Sequence, residues 1–235
     1  MTNNNIIISG NNFPSARILL PKGEKAFIQS GSMIYKNKVH LETRLNANGS
    51  GLTKLIKAVG RSLTSGESVF VTEVESLADD GFVAIAPEVP GQIVVLDLDE
   101  THQYRLKDKA FLALLGDATY VMKSQNIGQA LFGGTGGFFI METKGRGQIL
   151  INSFGSIEKV HLENETLTVD NENVVAWSTN LHYDIHMENN WYQSIGTGEG
   201  LVNTFSGTGY VYIQTLNIKA LAKALIPYLS TSSNN

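Results

Sequence analysis

Cysteine is absent from these 235 residues, so no disulfide framework and no thiolate chemistry is available to the chain. Charge is also sparse, with Asp, Glu, Lys and Arg together at 17%. The formal net charge of −4 argues against a general nucleic-acid binder, which carries a basic face. No apolar run approaches the ~18 residues that a membrane-crossing helix needs. Met1-Thr2-Asn3-Asn4-Asn5 has no basic region, and Ile6-Ile7-Ile8 is too short for a signal-peptide core. The expected location is the cytoplasm. What the chain does have is glycine, 23 residues of it, and a hydrophobic fraction of 42%. Low charge with many turn-formers points to β structure around a sizeable core.

Internal similarity organises the rest. Phe132–Ile140 reads FGGTGGFFI, and 73 residues later Phe205–Ile213 reads FSGTGYVYI. Gly66-Glu67-Ser68-Val69-Phe70-Val71 is a fainter third copy. Each reads as a glycine turn feeding a strand of β-branched and aromatic residues. A longer pattern recurs between residues 81–114 and 147–177: strand, tight turn, strand, polar turn, strand, polar turn, strand. The polar turns correspond in pairs. Asp99-Glu100-Thr101-His102 matches Glu163-Asn164-Glu165-Thr166, and Lys107-Asp108-Lys109 matches Asn171-Glu172-Asn173. Residues 19–35 keep only the later part of this pattern.

Helical periodicity appears twice. Leu52, Leu55, Ile56, Val59 and Leu63 form an amphipathic stripe, with Lys54, Lys57 and Arg61 elsewhere on the same helix. Ile218, Leu221, Ala222, Leu225 and Ile226 form a second, ended by Pro227. The expected organisation is a lead-in over 1–15, a β unit over 16–80 carrying the inserted helix 52–63, a second unit over 81–145, a third over 146–229 with the C-terminal helix, and a disordered tail over 230–235.

Gln29-Ser30-Gly31-Ser32-Met33, Gly49-Ser50-Gly51-Leu52 with Gly66-Glu67-Ser68, Ala86-Pro87 with Pro90-Gly91, Gly198-Glu199-Gly200-Leu201-Val202 and Gly207-Thr208-Gly209 with Val211-Tyr212-Ile213-Gln214-Thr215 together resemble a family of uncharacterised proteins. Its namesake is the yeast altered-inheritance-of-mitochondria protein, and its bacterial members are described as TRAP-like, after the tryptophan RNA-binding attenuation protein. The similarity spans roughly residues 16–228. Family members often have proline where Thr208 stands. The resemblance implies three shortened double-stranded β-helix units per chain and a homotrimeric ring of nine units. It brings no catalytic residue.

Candidate chemistry is thin. Gly133-Gly134-Thr135-Gly136-Gly137 looks like a phosphate cradle, but no lysine follows and the glycines lead into a strand, so a structural turn is the better account. His182, His186 and Glu188 suggest a metal site of the cupin kind. Four residues along a strand separate the two histidines by about 13 Å, too far to share one ion unless the strand bends. Partly exposed strand histidines are the alternative. His40, His102 and His161 are scattered singly. Gly31-Ser32 lacks the frame of a nucleophile elbow. Asp79-Asp80 and Asp97/Asp99 fall at expected turns, where solvated charge is usual.

No catalytic, cofactor or metal residue is therefore assigned, and no cofactor is expected. The leading reading is a non-enzymatic, ring-forming scaffold or binding protein whose partner is itself. An RNA-binding ring is the first alternative, although no basic set recurs in all three units. A small-molecule or metal-dependent enzyme of cupin-like type is the second.

Overall fold

Runs of Val, Ile, Leu and Phe punctuated by glycine fold into strands, since branched and aromatic side chains suit a pleated, half-buried surface. The computed structural model describes residues 5–45, 70–125, 138–187 and 201–229. The helix expected over 52–63, with Lys54, Lys57 and Arg61, lies outside the described residues, as do Gly133–Gly137, Glu188 and the glycines at 49–51, 66 and 196–200.

Seventeen strands follow in order: β1 (Ile6–Ser9), β2 (Ser15–Leu20), β3 (Lys25–Gln29), β4 (Met33–Asn37), β5 (Val39–Leu45), β6 (Phe70–Ser76), β7 (Gly81–Ile85), β8 (Ile93–Leu98), β9 (Tyr104–Lys107), β10 (Phe111–Gly116), β11 (Thr119–Gln125), β12 (Phe138–Lys144), β13 (Gly147–Asn152), β14 (Ile157–Asp170), β15 (Val174–Ser178), β16 (His182–Met187) and β17 (Leu201–Gln214). Helix α1 (Ile218–Leu225) follows β17, and a 3-10 turn at Ile226–Tyr228 extends it past Pro227. The protein is mostly β, in curled antiparallel sheets.

Among the described residues there are three sheets. The first runs β1-β2-β7-β4, the second β5-β6-β3-β10-β13-β8, and the third β11-β12-β9-β15-β17-β14, with β16 also on β17. Two joints tie distant parts of the chain. In one, β3 meets β10 through Ala26↔Leu115, Phe27↔Leu114 and Ile28↔Ala113. In the other, β9 meets β15 through Tyr104↔Ser178, Arg105↔Trp177 and Leu106↔Ala176. Each of β4, β10 and β15 carries a register shift after its first residue, at Ile34, Leu112 and Val175. A bulge of this kind bends a strand and re-aims its side chains.

Three apolar cores result. Ala16, Ile18, Val83 and Ile85 of the first sheet pack against Ala26, Ile28, Val74, Leu112, Ala113 and Leu150 of the second. Leu96, Leu98, Leu114, Ile149 and Ile151 pack against Tyr104, Leu106, Met141, Ala176 and Tyr212 of the third. The last core gathers Leu162, Val169, Trp177, Leu181, Phe205 and Val211. Each such side chain contributes about 1.5–3 kcal/mol when fully buried.

Two sequence expectations need correction. FSGTGYVYI is not a turn feeding a strand, because β17 runs unbroken from Leu201 to Gln214 through Gly207 and Gly209. The polar stretch Glu163-Asn164-Glu165-Thr166 is not a reversal either. It is a bulge inside β14, with Asn164 at φ 57 and the pairing to β17 shifting between Glu163 and Glu165. Asparagine tolerates that left-handed conformation, and a bulge needs only one extra residue. The other polar stretches are reversals as expected: a turn at 99–102 and 3-10 turns at Asp108–Ala110 and Asn171–Asn173.

Candidate functional site

The residues with chemistry to offer are mostly engaged locally. Asp99 accepts hydrogen bonds from the backbone N–H of Thr101 and His102 at 2.7 and 2.8 Å, and lies 2.9 Å from His102 Nδ1. The His102 and Thr101 contacts hold its carboxyl well below the usual range. Asp79 accepts weakly from the Lys22 N–H, Asp80 pairs with Lys38 at 2.6 Å, and Asp97 accepts from Gln148 at 2.8 Å. These are turn and surface contacts. Ser32 is buried and its hydroxyl donates to the Gln29 carbonyl at 2.7 Å. With Gly31 at φ 85, Gly31-Ser32 forms the reversal between β3 and β4.

His182 and His186 both lie on β16, opposite Ser206 and Val202 of β17, and His186 Nδ1 is 3.1 Å from Asp184. The strand between them is paired residue for residue, with no bend that gathers them. His161 stacks on Tyr210 with ring centres 4.6 Å apart, and His40 faces Glu75 across β5 and β6. Among the described residues, no three of His, Asp and Glu cluster so as to hold a metal ion.

Two polar clusters were not read from sequence. Glu142 sits between Arg105 at 2.7 Å and Lys123 at 2.8 Å. Burial pushes its carboxyl up, but the two cations outweigh that and hold it below the ordinary glutamate value. The Arg105 guanidinium also lies 5.3 Å from the Tyr183 ring, which packs on Trp177 at 5.0 Å. Elsewhere Tyr104 and Tyr212 meet edge to face at 5.9 Å, and burial pushes both phenols up. Lys159 lies 3.9 Å from the Tyr210 ring centre. Strand alternation spreads such residues along the chain, so only the observed register could bring them together.

The most distinctive surface is an edge. β4 is exposed along its whole length and offers Met33, Ile34 and Tyr35 at 40, 51 and 51% exposure. The corresponding residues after the bulges of β10 and β15, Leu112, Ala113, Val175 and Ala176, are all buried. Among the described residues β4 has one strand neighbour, β7, and β14 has one, β17. An apolar strand with its hydrogen-bonding row open is a pairing site for another sheet. A second exposed apolar surface is α1, of which no residue is buried. No helix among the described residues is long and apolar enough to cross a membrane.

A family model described as mitochondrial biogenesis AIM24 matches residues 6–216. An uncharacterized protein of Streptococcus pyogenes serotype M6 is 56% identical over 223 residues, covering 94% of this chain and 89% of that protein. A crystal structure of another Streptococcus pyogenes protein superposes with a TM-score of 0.80 at 52% identity, covering 95% of this chain and 99% of that one. The chain belongs to the AIM24 family.

Proposed function

We propose that this protein is a non-enzymatic scaffold or binding protein whose working form is a closed homotrimeric ring of nine β units. The observation that carries this reading is a mismatch between the ends of the chain. Three sets of strands share one pairing scheme, with boundaries after Ile85 and Asn152 in place of the expected 80 and 145: β2 to β7, β8 to β13, and the succession β14-β15-β16-β17, in which β14 and β17 each serve twice. In each set the third strand has its bulge at the same point, at Ile34, Leu112 and Val175. In each set one glycine faces a leucine across the sheet: Gly81 opposite Leu20, Gly147 opposite Leu98, Gly209 opposite Leu162.

On that scheme the two joints, β3 to β10 and β9 to β15, are the same joint. The second strand of one unit pairs with the third strand of the next. Among the described residues the first unit's third strand, β4, has no such partner, and neither has the third unit's second strand, residues 165–170 of β14. Among the described residues the outer strands β5, β11 and β16 each have one neighbour in all three units and so leave nothing unmatched. A head-to-tail contact between β4 of one copy and 165–170 of another repeats the internal joint, and repetition of such a contact closes a ring or runs on as a filament. Family resemblance supplies the choice of three copies.

Light scattering coupled to size exclusion at micromolar concentration tests the reading. The expected mass is about 77 kDa, three chains of 25.6 kDa. A monomer overturns it. Submicromolar binding to mixed RNA at physiological salt, with a steep salt slope, would replace the scaffold reading with an RNA-binding one.

A further inference from the structure

We infer that the C-terminal helix α1 is a clasp that seats its apolar face on the next copy of the chain, over the lead-in residue Phe13 and the strand residue Met33. The inference rests on the ring reading and names the partner surface of a helix that the ring itself does not require.

The helix does not pack on its own domain through an apolar stripe, since none of its residues is buried. Amphipathic helices normally turn the apolar stripe to the core. Here the polar side is the tethered one. Lys219 Nζ is 2.8 Å from Glu172 Oε1, and Asn217 Nδ2 donates to Asn173 Oδ1 at 3.2 Å, fixing α1 to the 3-10 turn at Asn171–Asn173. Asn217 Oδ1 accepts from the Ala220 N–H at 2.7 Å, which caps the first turn. The apolar positions Ile218, Leu221 and Leu225 are left 47, 44 and 47% exposed, and Ile226, Tyr228 and Leu229 more so.

Two independent features indicate what lies opposite. The first is a ladder of backbone hydrogen bonds between the segments that link successive units. Gly91 N–H donates to Asn12 O at 2.9 Å, Gly155 N–H to Pro90 O at 2.9 Å, and Leu216 N–H to Phe154 O at 3.2 Å. After Gly91 and Gly155 the chain runs on into the first strand of the next unit, β8 or β14. After Leu216 it runs into α1 instead. Leu216 fills that rung from its own chain, so in a ring the following copy's Asn12-Phe13-Pro14, leading into β2, lies beside the rung and against the start of α1. Phe13 holds the place of Gly91 and Gly155, and it is 79% exposed.

The second feature is the joint register. Leu106↔Ala176 brings the start of β15, Val174, alongside the 3-10 turn at Asp108–Ala110. The same register between copies brings Met33 alongside Asn171–Asn173, the turn to which Lys219 and Asn217 tie the helix. Met33 is 40% exposed, whereas its counterparts Phe111 and Val174 are buried. Both features therefore lead to one apolar surface on the following copy, within reach of Leu221 and Leu225.

Two cysteine pairs test the clasp separately from the ring, because the natural chain has none to interfere. Lys36→Cys with Thr168→Cys reports the ring joint, and Phe13→Cys with Leu221→Cys reports the clasp. Under mild oxidation both pairs are expected to give chains linked to one another on a denaturing gel. A second arm uses Leu221→Glu with Leu225→Glu, which is expected to raise the trimer's dissociation constant at least tenfold without unfolding the chain. If the joint pair links but the clasp pair does not, and the glutamate variant dissociates like the natural protein, the clasp is overturned and the ring stands. If neither pair links, the ring reading falls and takes the clasp with it. A Phe13–Leu221 link formed within one chain overturns the clasp. So does a helix that sediments with vesicles containing one third anionic phospholipid while its substitution leaves the trimer intact, since the apolar face then serves a lipid surface.

Discussion

Gly147 stands where a Cβ would lie 2.0 Å from the Leu115 carbonyl oxygen. The nearest atom is backbone rather than the end of a flexible side chain, so β10 or β13 must shift to admit any other residue. Gly147→Ala is expected to destabilise the protein by about 2 kcal/mol or more. Gly209 is similarly hemmed in, by Asn180 Oδ1 at 2.9 Å and Ser178 Cβ at 3.0 Å, and Gly209→Val should cost about 1–3 kcal/mol. Urea unfolding midpoints measure both, and unchanged midpoints would show that these approaches relax freely.

Lys36 and Thr168 give the ring joint a register. Lys36 corresponds to Leu114 and Trp177, which face Phe27 and Arg105 in the two internal joints. Their common partner position in the third unit is Thr168. Lys36→Cys with Thr168→Cys is expected to lock neighbouring chains together on oxidation, whereas Lys36→Cys with Thr166→Cys, two residues out of register, is expected to link poorly. Equal yields would mean that the copies meet some other way.

Glu142 gives stability a pH dependence of definite sign. Lys123 and Arg105 lower its folded-state value below the unfolded one, so the unfolded chain binds its proton first as pH falls. The stabilisation is complete above the ordinary glutamate value of about 4.3 and is lost as pH drops through the folded value. Stability should be level between pH 7 and 5 and decline below about 4.3, with a shallower decline in Glu142→Gln. Chemical denaturation at several pH values checks this, and parallel curves for the two proteins would contradict it.

Trp177 is buried against Phe205 at 5.4 Å, and its indole N–H has no hydrogen-bond partner. Trp177→Phe keeps the ring packing and removes that unpaired donor, so its cost should be about 1–2 kcal/mol. Trp177→Ala leaves a cavity and should cost about 3–5 kcal/mol. Similar unfolding midpoints for the two would show that the donor is satisfied and that packing is not what holds the indole.

The β character and the polar turns at 108–110 and 171–173 were legible because each depends on neighbouring residues, whereas the expected helix stop at Pro227 is replaced by a 3-10 turn that runs through it. The glycine repeat was misaligned for an instructive reason. Gly136 and Gly209 sit in similar words, but Gly209 faces Leu162 inside β17, the place that Gly147 and Gly81 hold opposite Leu98 and Leu20. Composition cannot distinguish a glycine that turns the chain from one that makes room for a neighbouring strand. The Arg105–Glu142–Lys123 cluster and the open edge of β4 were invisible for a related cause. Both depend on which strands become neighbours, across 37 residues in the case of Arg105 and Glu142.

β17 has an implication for how the chain is made. It is the common partner of β14, β15 and β16, and its ladder joins Ile157 to Gln214. Synthesis delivers those three strands before the one that unites them. The pairings among β2–β7 themselves close by Ile85, so that region can begin to settle while translation continues, although β3 still waits for β10. The last region must wait, with open strands, until Gln214 clears the ribosome tunnel. A ribosome stalled shortly before that point would hold a chain folded at its front and adhesive at its back.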